Sequence, residues 1–367
     1  MKIYLYIVAA VLIFGVLLPQ KGPKRKYYVI LMTAIHTFVC AFRYEHLTGD
    51  LLKYNWEFSQ MATYGWFSQE VLQDGRNTGF YMLLKLVNEL TGENFQALLI
   101  VIAVITHVIL AYVIYRYSTA PWLSFLVWDC MGLYIFGFNA IKQALAMSFL
   151  MLAFIGITKR KLSFYLIMVA IASAIHMPAL IFLPAYWLTS MRVNKNTVLF
   201  YLLLGLALFV FKNQFVSLIR LIYYETDEEL MYSGEVGGRF IMVLGFTLFG
   251  LLFAGMRDGD MEKLFHLMAV ATILQLLSGY DNIFTRLTDY YFQFSVLYMP
   301  MVFFPKETNP GRLSLRAVFP FNNRSLKLLS MIVALYMFWF YYVFNLNSGV
   351  AVTGTSYLNF QFMWEVP

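Results

Sequence analysis

The chain has 367 residues, 60% hydrophobic and 13% charged, where a soluble domain carries about 25% charged residues. With 35 Phe, 26 Tyr and 7 Trp, this excludes a soluble globular enzyme, because a core of that size cannot hide so much apolar surface and a bilayer can. A net charge of +7 would suggest nucleic acid for a soluble protein; here its placement along the chain matters more, and no nucleic-acid partner is expected.

Apolar runs recur at 3–19, 27–42, 96–115, 121–138, 140–157, 162–175, 178–190, 197–211, 240–256, 264–279, 287–304 and 327–345. The expected fold is therefore all-α, a polytopic integral membrane protein with about twelve transmembrane helices and a single transmembrane domain over 1–367. The first run is followed by Lys21, Lys24, Arg25 and Lys26 rather than a small-residue cleavage site, so it reads as a span and not a removable signal. Several runs are shorter than a full crossing, which suggests tilt or ends that break near a polar cavity. Cys40 and Cys130 lie in apolar runs and read as small buried residues.

Orientation follows from the basic loops. If the first helix runs inward, 17 of the 27 Lys and Arg fall in cytoplasmic loops with only 4 of the 20 acids. Both termini are then expected outside the cytoplasm. Two long outer segments result, about 43–95 and 212–239; loops of this length usually carry function. Each holds an amphipathic stretch, Tyr54 to Val71 and Phe215 to Tyr224, expected to lie on the membrane surface or to roof a cavity.

Four clusters of polar residues sit at outer helix ends, where ionisable groups line cavities. Arg43, Tyr44, Gly49, Asp50 and Tyr54 follow the second run, and the Gly-Asp pair suggests a tight turn aiming a carboxylate at the helix end. Asn139, Lys142 and Gln143 occupy the short turn after the fourth. His176-Met177-Pro178 opens another outer turn, with a pKa range usable near neutral pH. Asp281, Asn282, Arg286, Asp289, Tyr290 and Tyr291 form the last. For each residue the plain alternative is structural: a snorkelling cation, a satisfied histidine, a local salt bridge. Asp129, nearer mid-membrane, reads as a helix–helix bond. No nucleotide loop, zinc spacing or Gly-x-Ser-x-Gly elbow is present. Arg and Lys at an outer boundary suit a lipid-linked phosphate or pyrophosphate, so neither cofactor nor metal is expected.

The order and spacing of these pieces resemble the EpsG family of bacterial exopolysaccharide and capsule proteins, which are similar to Wzy-type polymerases. Carrying the resemblance are Arg43-Tyr44 with Gly49-Asp50 and Tyr54, Asn139 with Lys142-Gln143-Ala144 and Ala146, Lys159-Arg160-Lys161, Ile171-Ala172 with His176, Pro184 with Tyr186, and Arg286 with Tyr290-Tyr291. Lys142 departs from the family's usual Arg and loses the bidentate fork. The resemblance implies a glycosyltransferase-C-like body at the outer face of the bacterial plasma membrane. There it would polymerise repeat units carried on undecaprenyl pyrophosphate. His176 and Asp50 are the expected catalytic residues, and Arg43, Lys142, Gln143, Arg286 and Tyr290 the expected substrate or pyrophosphate ligands. Membrane lipids, a flippase and a chain-length regulator are the expected partners. A lipid-linked oligosaccharide flippase and a membrane acyltransferase are the alternatives. A flippase should show paired repeats and mid-membrane charges, and an acyltransferase should place its histidine on the cytoplasmic side.

The orientation predicts a labelling pattern. In intact cells Pro310→Cys should resist an impermeant thiol reagent and Glu228→Cys should react; the reverse pattern would invert the topology.

Overall fold

The computed structural model describes residues 2–44, 49–222, 237–253, 259–281, 283–305 and 360–365, with 328, 331–333, 335–340 and 343 between them. The α-helices among the described residues include α1 Lys2–Leu17, α2 Arg25–Ala41, α3 Gly49–Gln60, α4 Gln69–Leu72, α5 Thr78–Thr91, α6 Phe95–Tyr117, α7 Pro121–Cys130, α8 Leu133–Asn139, α9 Ile141–Thr158, α10 Leu162–Ile175, α11 Ala185–Leu188, α12 Lys195–Val210, α13 Lys212–Ile222, α14 Gly238–Phe253, α15 Gly259–Leu277, α16 Ile283–Phe292 and α17 Ser295–Phe303. No β-strand occurs among them; the nearest thing is one bridge between Arg43 and Phe362.

Apolar runs become helices, but not one run to one span. Among the described residues two helices, α6 and α9, are long and apolar enough to cross a membrane. Two bent pairs, α7–α8 and α12–α13, bring the number to four if each is one span. Shorter apolar helices include α1, α10 and α14. The run expected over 121–138 breaks by 51° between Cys130 and Leu133. Gly132 makes the break, with φ +76°, a conformation that only glycine adopts without steric cost. The run at 178–190 is not a continuous helix either: a 3-10 turn over Met177–Phe182 precedes α11. The run at 287–304 divides into α16 and α17. The last run, 327–345, lies mostly outside the described residues.

The surface explains why this is a membrane body. Helix α12 buries Thr197, Tyr201 and Gly205 and exposes Leu199, Leu202, Leu203, Leu206 and Val210. That inverts the soluble pattern: small and polar residues face neighbouring helices, and leucines face outward where lipid lies. Helix α13 leaves α12 at 82°, close to the amphipathic stretch expected from Phe215. In the first long segment, 43–95, α5 is amphipathic and buries Phe80, Leu84 and Val87. In the stretch expected over 54–71, helix runs to Gln60 and resumes at Gln69 in α4, with turns between. Lys85 and Asn88 on α5 bond the Met61 and Phe58 carbonyls at 2.9 and 2.8 Å, fastening α5 to the end of α3.

The basic hairpins close one end of the molecule. Arg25 donates to the Ser118 carbonyl at 3.1 Å and to that of Tyr115. Arg160 donates to the Tyr186 and Thr189 carbonyls at 3.1 and 2.7 Å, and Glu262 accepts from the Val193 N–H at 3.3 Å. The arginine bonds satisfy carbonyls at helix ends that lack partners of their own. At the opposite end Tyr4, near the N-terminus, and Phe360, near the C-terminus, both lie against Phe138, with ring centroids 6.1 and 6.0 Å away.

Helices α9 and α10 meet at Gly156, where an added Cβ would lie 2.9 Å from the Tyr165 backbone nitrogen. Gly156→Val should therefore force the hairpin apart and cost about 1–3 kcal/mol, read as a lower unfolding midpoint of the purified protein in detergent. An unchanged midpoint would show that the contact is not tight.

Candidate functional site

The four clusters anticipated from the sequence converge at the end opposite the basic hairpins, and each contact has a local cause. Pro178 lacks the N–H that would continue α10, so the helix stops at Ile175 and His176 is extended, at φ −145° and ψ 104°. Its ring is buried and Nδ1 meets the Tyr290 hydroxyl of α16 in a hydrogen bond. Neighbouring bonds hold this pairing. The Met177 N–H donates to Asn77 Oδ1 at 2.8 Å, and Tyr291 donates to the Ile181 carbonyl at 2.6 Å. The Phe182 ring stacks on Phe294 with centroids 5.5 Å apart.

Lys142 and Gln143 lie in the first turn of α9, both buried, rather than in a free loop. Gln143 Nε2 donates to the Arg286 carbonyl at 2.8 Å, tying the second cluster to the fourth. Lys142 Nζ lies 6.0 Å from the Phe80 ring, and Phe80 packs edge-on against Tyr54 at 5.6 Å. Asp50 is half-buried in the first turn of α3. The Gly49-Asp50 pair thus opens a helix rather than forming the expected tight turn, because backbone bonding over 49–60 propagates through it. Arg286 is exposed on α16.

Arg43 was expected at an open helix end. It is instead 1% exposed. Its guanidinium donates to the Cys40 carbonyl and lies over the Phe138 ring at 5.3 Å. The chain near the C-terminus covers it: the Tyr44 N–H donates to the Gln361 carbonyl at 2.9 Å and the Met363 N–H to the Phe42 carbonyl at 3.0 Å. Phe362 stacks on Trp364 at 4.6 Å. Nothing in the spacing of Arg43 and Tyr44 announces a partner more than 300 positions away.

The fourth cluster divides by role. Asp281 Oδ1 accepts from the Ile283 N–H at 3.0 Å, a cap for α16. Asn282 lies outside the described residues. Asp289 pairs not within its own cluster but with Arg239 of α14, which the sequence reading did not single out. The signal was present, since Arg239 opens an apolar run at the same boundary as the others.

Beneath the clusters lies a second buried polar group. Asp129 bonds across from α7 to α2, where Oδ1 lies 2.9 Å from His36 Nε2, the helix–helix bond expected of it. His36 Nδ1 faces the Met32 carbonyl at 2.7 Å and so carries a proton. The Nε2–Asp129 contact then needs one further proton, on either group, and the pair is uncharged as a unit whichever holds it. Tyr134 donates to the His36 carbonyl at 2.9 Å. Neither His36 nor His107, which packs near it at 6.4 Å, stood out, because each is a single polar residue inside an apolar run.

Among the described residues no group of three or more His, Cys, Asp or Glu comes together as a metal site would require. The chain does contain one Asp-x-Asp spacing, Asp258-Gly259-Asp260. Asp258 lies outside the described residues. Asp260 is bound to Lys263 at 3.0 Å, at the far end from the clusters.

Breaking the His36–Asp129 pair gives a graded outcome. Asp129→Ala should cost about 3–5 kcal/mol by leaving the histidine without its partner. Asp129→Asn should cost less, because an amide N–H can donate to Nε2 of the neutral ring. Thermal unfolding in detergent measures both, and equal losses would show that the hydrogen bond is not what matters.

No curated protein sequence matches this chain, and no solved structure does. The model of the EpsG family matches residues 26–362, a stretch that runs from the start of α2 through all four clusters to the segment covering Arg43. The chain belongs to the EpsG family.

Proposed function

We propose that this protein polymerises lipid-linked oligosaccharide repeat units during exopolysaccharide or capsule synthesis. It would transfer the glycan from one undecaprenyl pyrophosphate carrier to a sugar hydroxyl of another repeat unit, at the outer face of the bacterial plasma membrane. Family membership supports a role in polysaccharide biosynthesis. The observation that carries the reading further is the convergence of the clusters, with His176 on Tyr290 and Gln143 on the Arg286 backbone. This gathers a base, cations and a carboxylate at one end of a hydrophobic body able to hold polyprenyl chains.

Glycosyl transfer to a hydroxyl needs a base for the acceptor proton and compensation of charge on the departing pyrophosphate. His176 is the base. In the tautomer whose Nδ1–H donates to the Tyr290 oxygen, Nε2 holds the basic lone pair. Arg286, exposed beside this pair, and Lys142 hold the pyrophosphate, and Gln143 sets the backbone from which Arg286 projects. Asp50 orients the acceptor. Arg43, covered and bonded to Cys40, supports the site from behind. No step of this reading calls for a metal or cofactor.

Charge-assisted bonds to phosphate are worth about 1.5–3 kcal/mol. Arg286→Ala should therefore lower polymerisation of purified lipid-linked repeat units at least tenfold while the protein still inserts; normal polymer yield removes Arg286 from the site. His176→Gln keeps some hydrogen bonding and cannot act as a base. If it polymerises at the wild-type rate and Asp50→Asn does not, the two roles are exchanged. In cells, deletion should leave single repeat units on the carrier at the outer face. Accumulation at the inner face would identify a flippase instead.

A further inference from the structure

Behind Arg43, between α2, α6, α7, α8 and α9, lies a cavity of about 10 Å³. That is about the lower bound for one ordered water molecule. Its walls are apolar at Cys40 and Ala144; the Tyr134 hydroxyl beside them is bonded to the His36 carbonyl, and four further polar side chains remain, Arg43, Thr106, His107 and Trp128. Their exposures are 1, 7, 3 and 5%, and in each one atom has no protein partner: Arg43 Nε, Thr106 Oγ1, His107 Nε2 and Trp128 Nε1. Buried polar atoms of native proteins are bonded to protein or to ordered water. Four residues that line one small cavity, each with such an atom, point to a single shared partner.

The character of the four atoms identifies it. Arg43 Nε and Trp128 Nε1 can only donate. His107 Nδ1 lies 2.8 Å from the Ala103 carbonyl, which can only accept. Nδ1 therefore carries the ring proton, and Nε2 of the neutral ring is an acceptor. The Thr106 hydroxyl serves as either. A cation would be repelled by Arg43, and an anion would face the His107 lone pair. A phosphate or sugar is too large for the volume. Two donors, one acceptor and one hydroxyl are the complement of a water molecule.

We propose that this cavity is a built water site. One water accepts from Arg43 Nε and Trp128 Nε1 and donates to His107 Nε2 and Thr106 Oγ1. Arg43 then has its planar guanidinium fixed on two edges, by the Cys40 carbonyl and by the water, and the water joins α2 to α6 and α7 without a direct side-chain bond. Arg43 is in this respect a positioning residue. The site does not depend on the proposed polymerase activity.

The test is an experimental structure of the full chain in a lipid nanodisc, at a resolution where other buried waters are visible. A peak within hydrogen-bonding distance of all four atoms supports the site, and a cavity without one overturns it. The same structure in sodium bromide separates the water from an anion: replacement of the peak by a bromide signal overturns the proposal. Thr106→Val removes one partner at nearly constant volume. It should lower the occupancy of the peak and shift the Arg43 guanidinium. If that variant does not fold, the wild-type and bromide structures decide the question alone.

Discussion

The organisation of this molecule depends on what happens to a polar group inside an apolar body. Water is not at hand there, so a buried donor or acceptor must find a protein partner or an ordered solvent molecule. The His36–Asp129 bond at 2.9 Å is the plainest instance. Neither residue is tolerable alone at that depth, and together they are an uncharged unit joining α2 to α7. Tyr201 repeats the device on the periphery. His266 Nε2 donates to the Met191 carbonyl at 2.8 Å, so Nδ1 accepts from the Tyr201 hydroxyl at 2.8 Å, and α12 is held to α15 by the one polar stripe it buries.

The same rule builds the candidate site. His176, Gln143, Asp289 and Arg43 are all buried, and each draws a segment remote in sequence towards it: Tyr290, the Arg286 backbone, Arg239 and the chain around Phe362. The broken helices contribute as well. Pro178 ends α10 at Ile175, and His176 sits at the end so created. Of the cations anticipated there, Arg286 remains exposed while Arg43 is covered. This divides a set that looked equivalent in sequence into one group facing outward and one bracing the interior.

Much of this was legible in the residues. Apolar runs of the right length announce helices in a bilayer. Isolated cations, a histidine before a proline and a Gly-Asp pair at run ends announce a polar face, and their order carries the resemblance to the family that the chain is in. Less legible were the breaks inside runs. A run of apolar residues has the same composition whether or not it bends at Gly132, and the 3-10 turn after His176 is as hydrophobic as a helix. Also hidden were His36 and His107, single polar residues inside apolar runs.

The sequence by itself determined that the chain is helical and suited to a membrane, and which residues gather at helix ends, because hydrophobicity and local backbone preference act over short stretches. Only the tertiary structure decided which of those residues touch. Pairings such as Gln143 with Arg286, Asp289 with Arg239 and Arg43 with the segment at Phe362 join positions far apart in the chain. Their energy comes from burying polar atoms together, and that becomes available only when the helices pack.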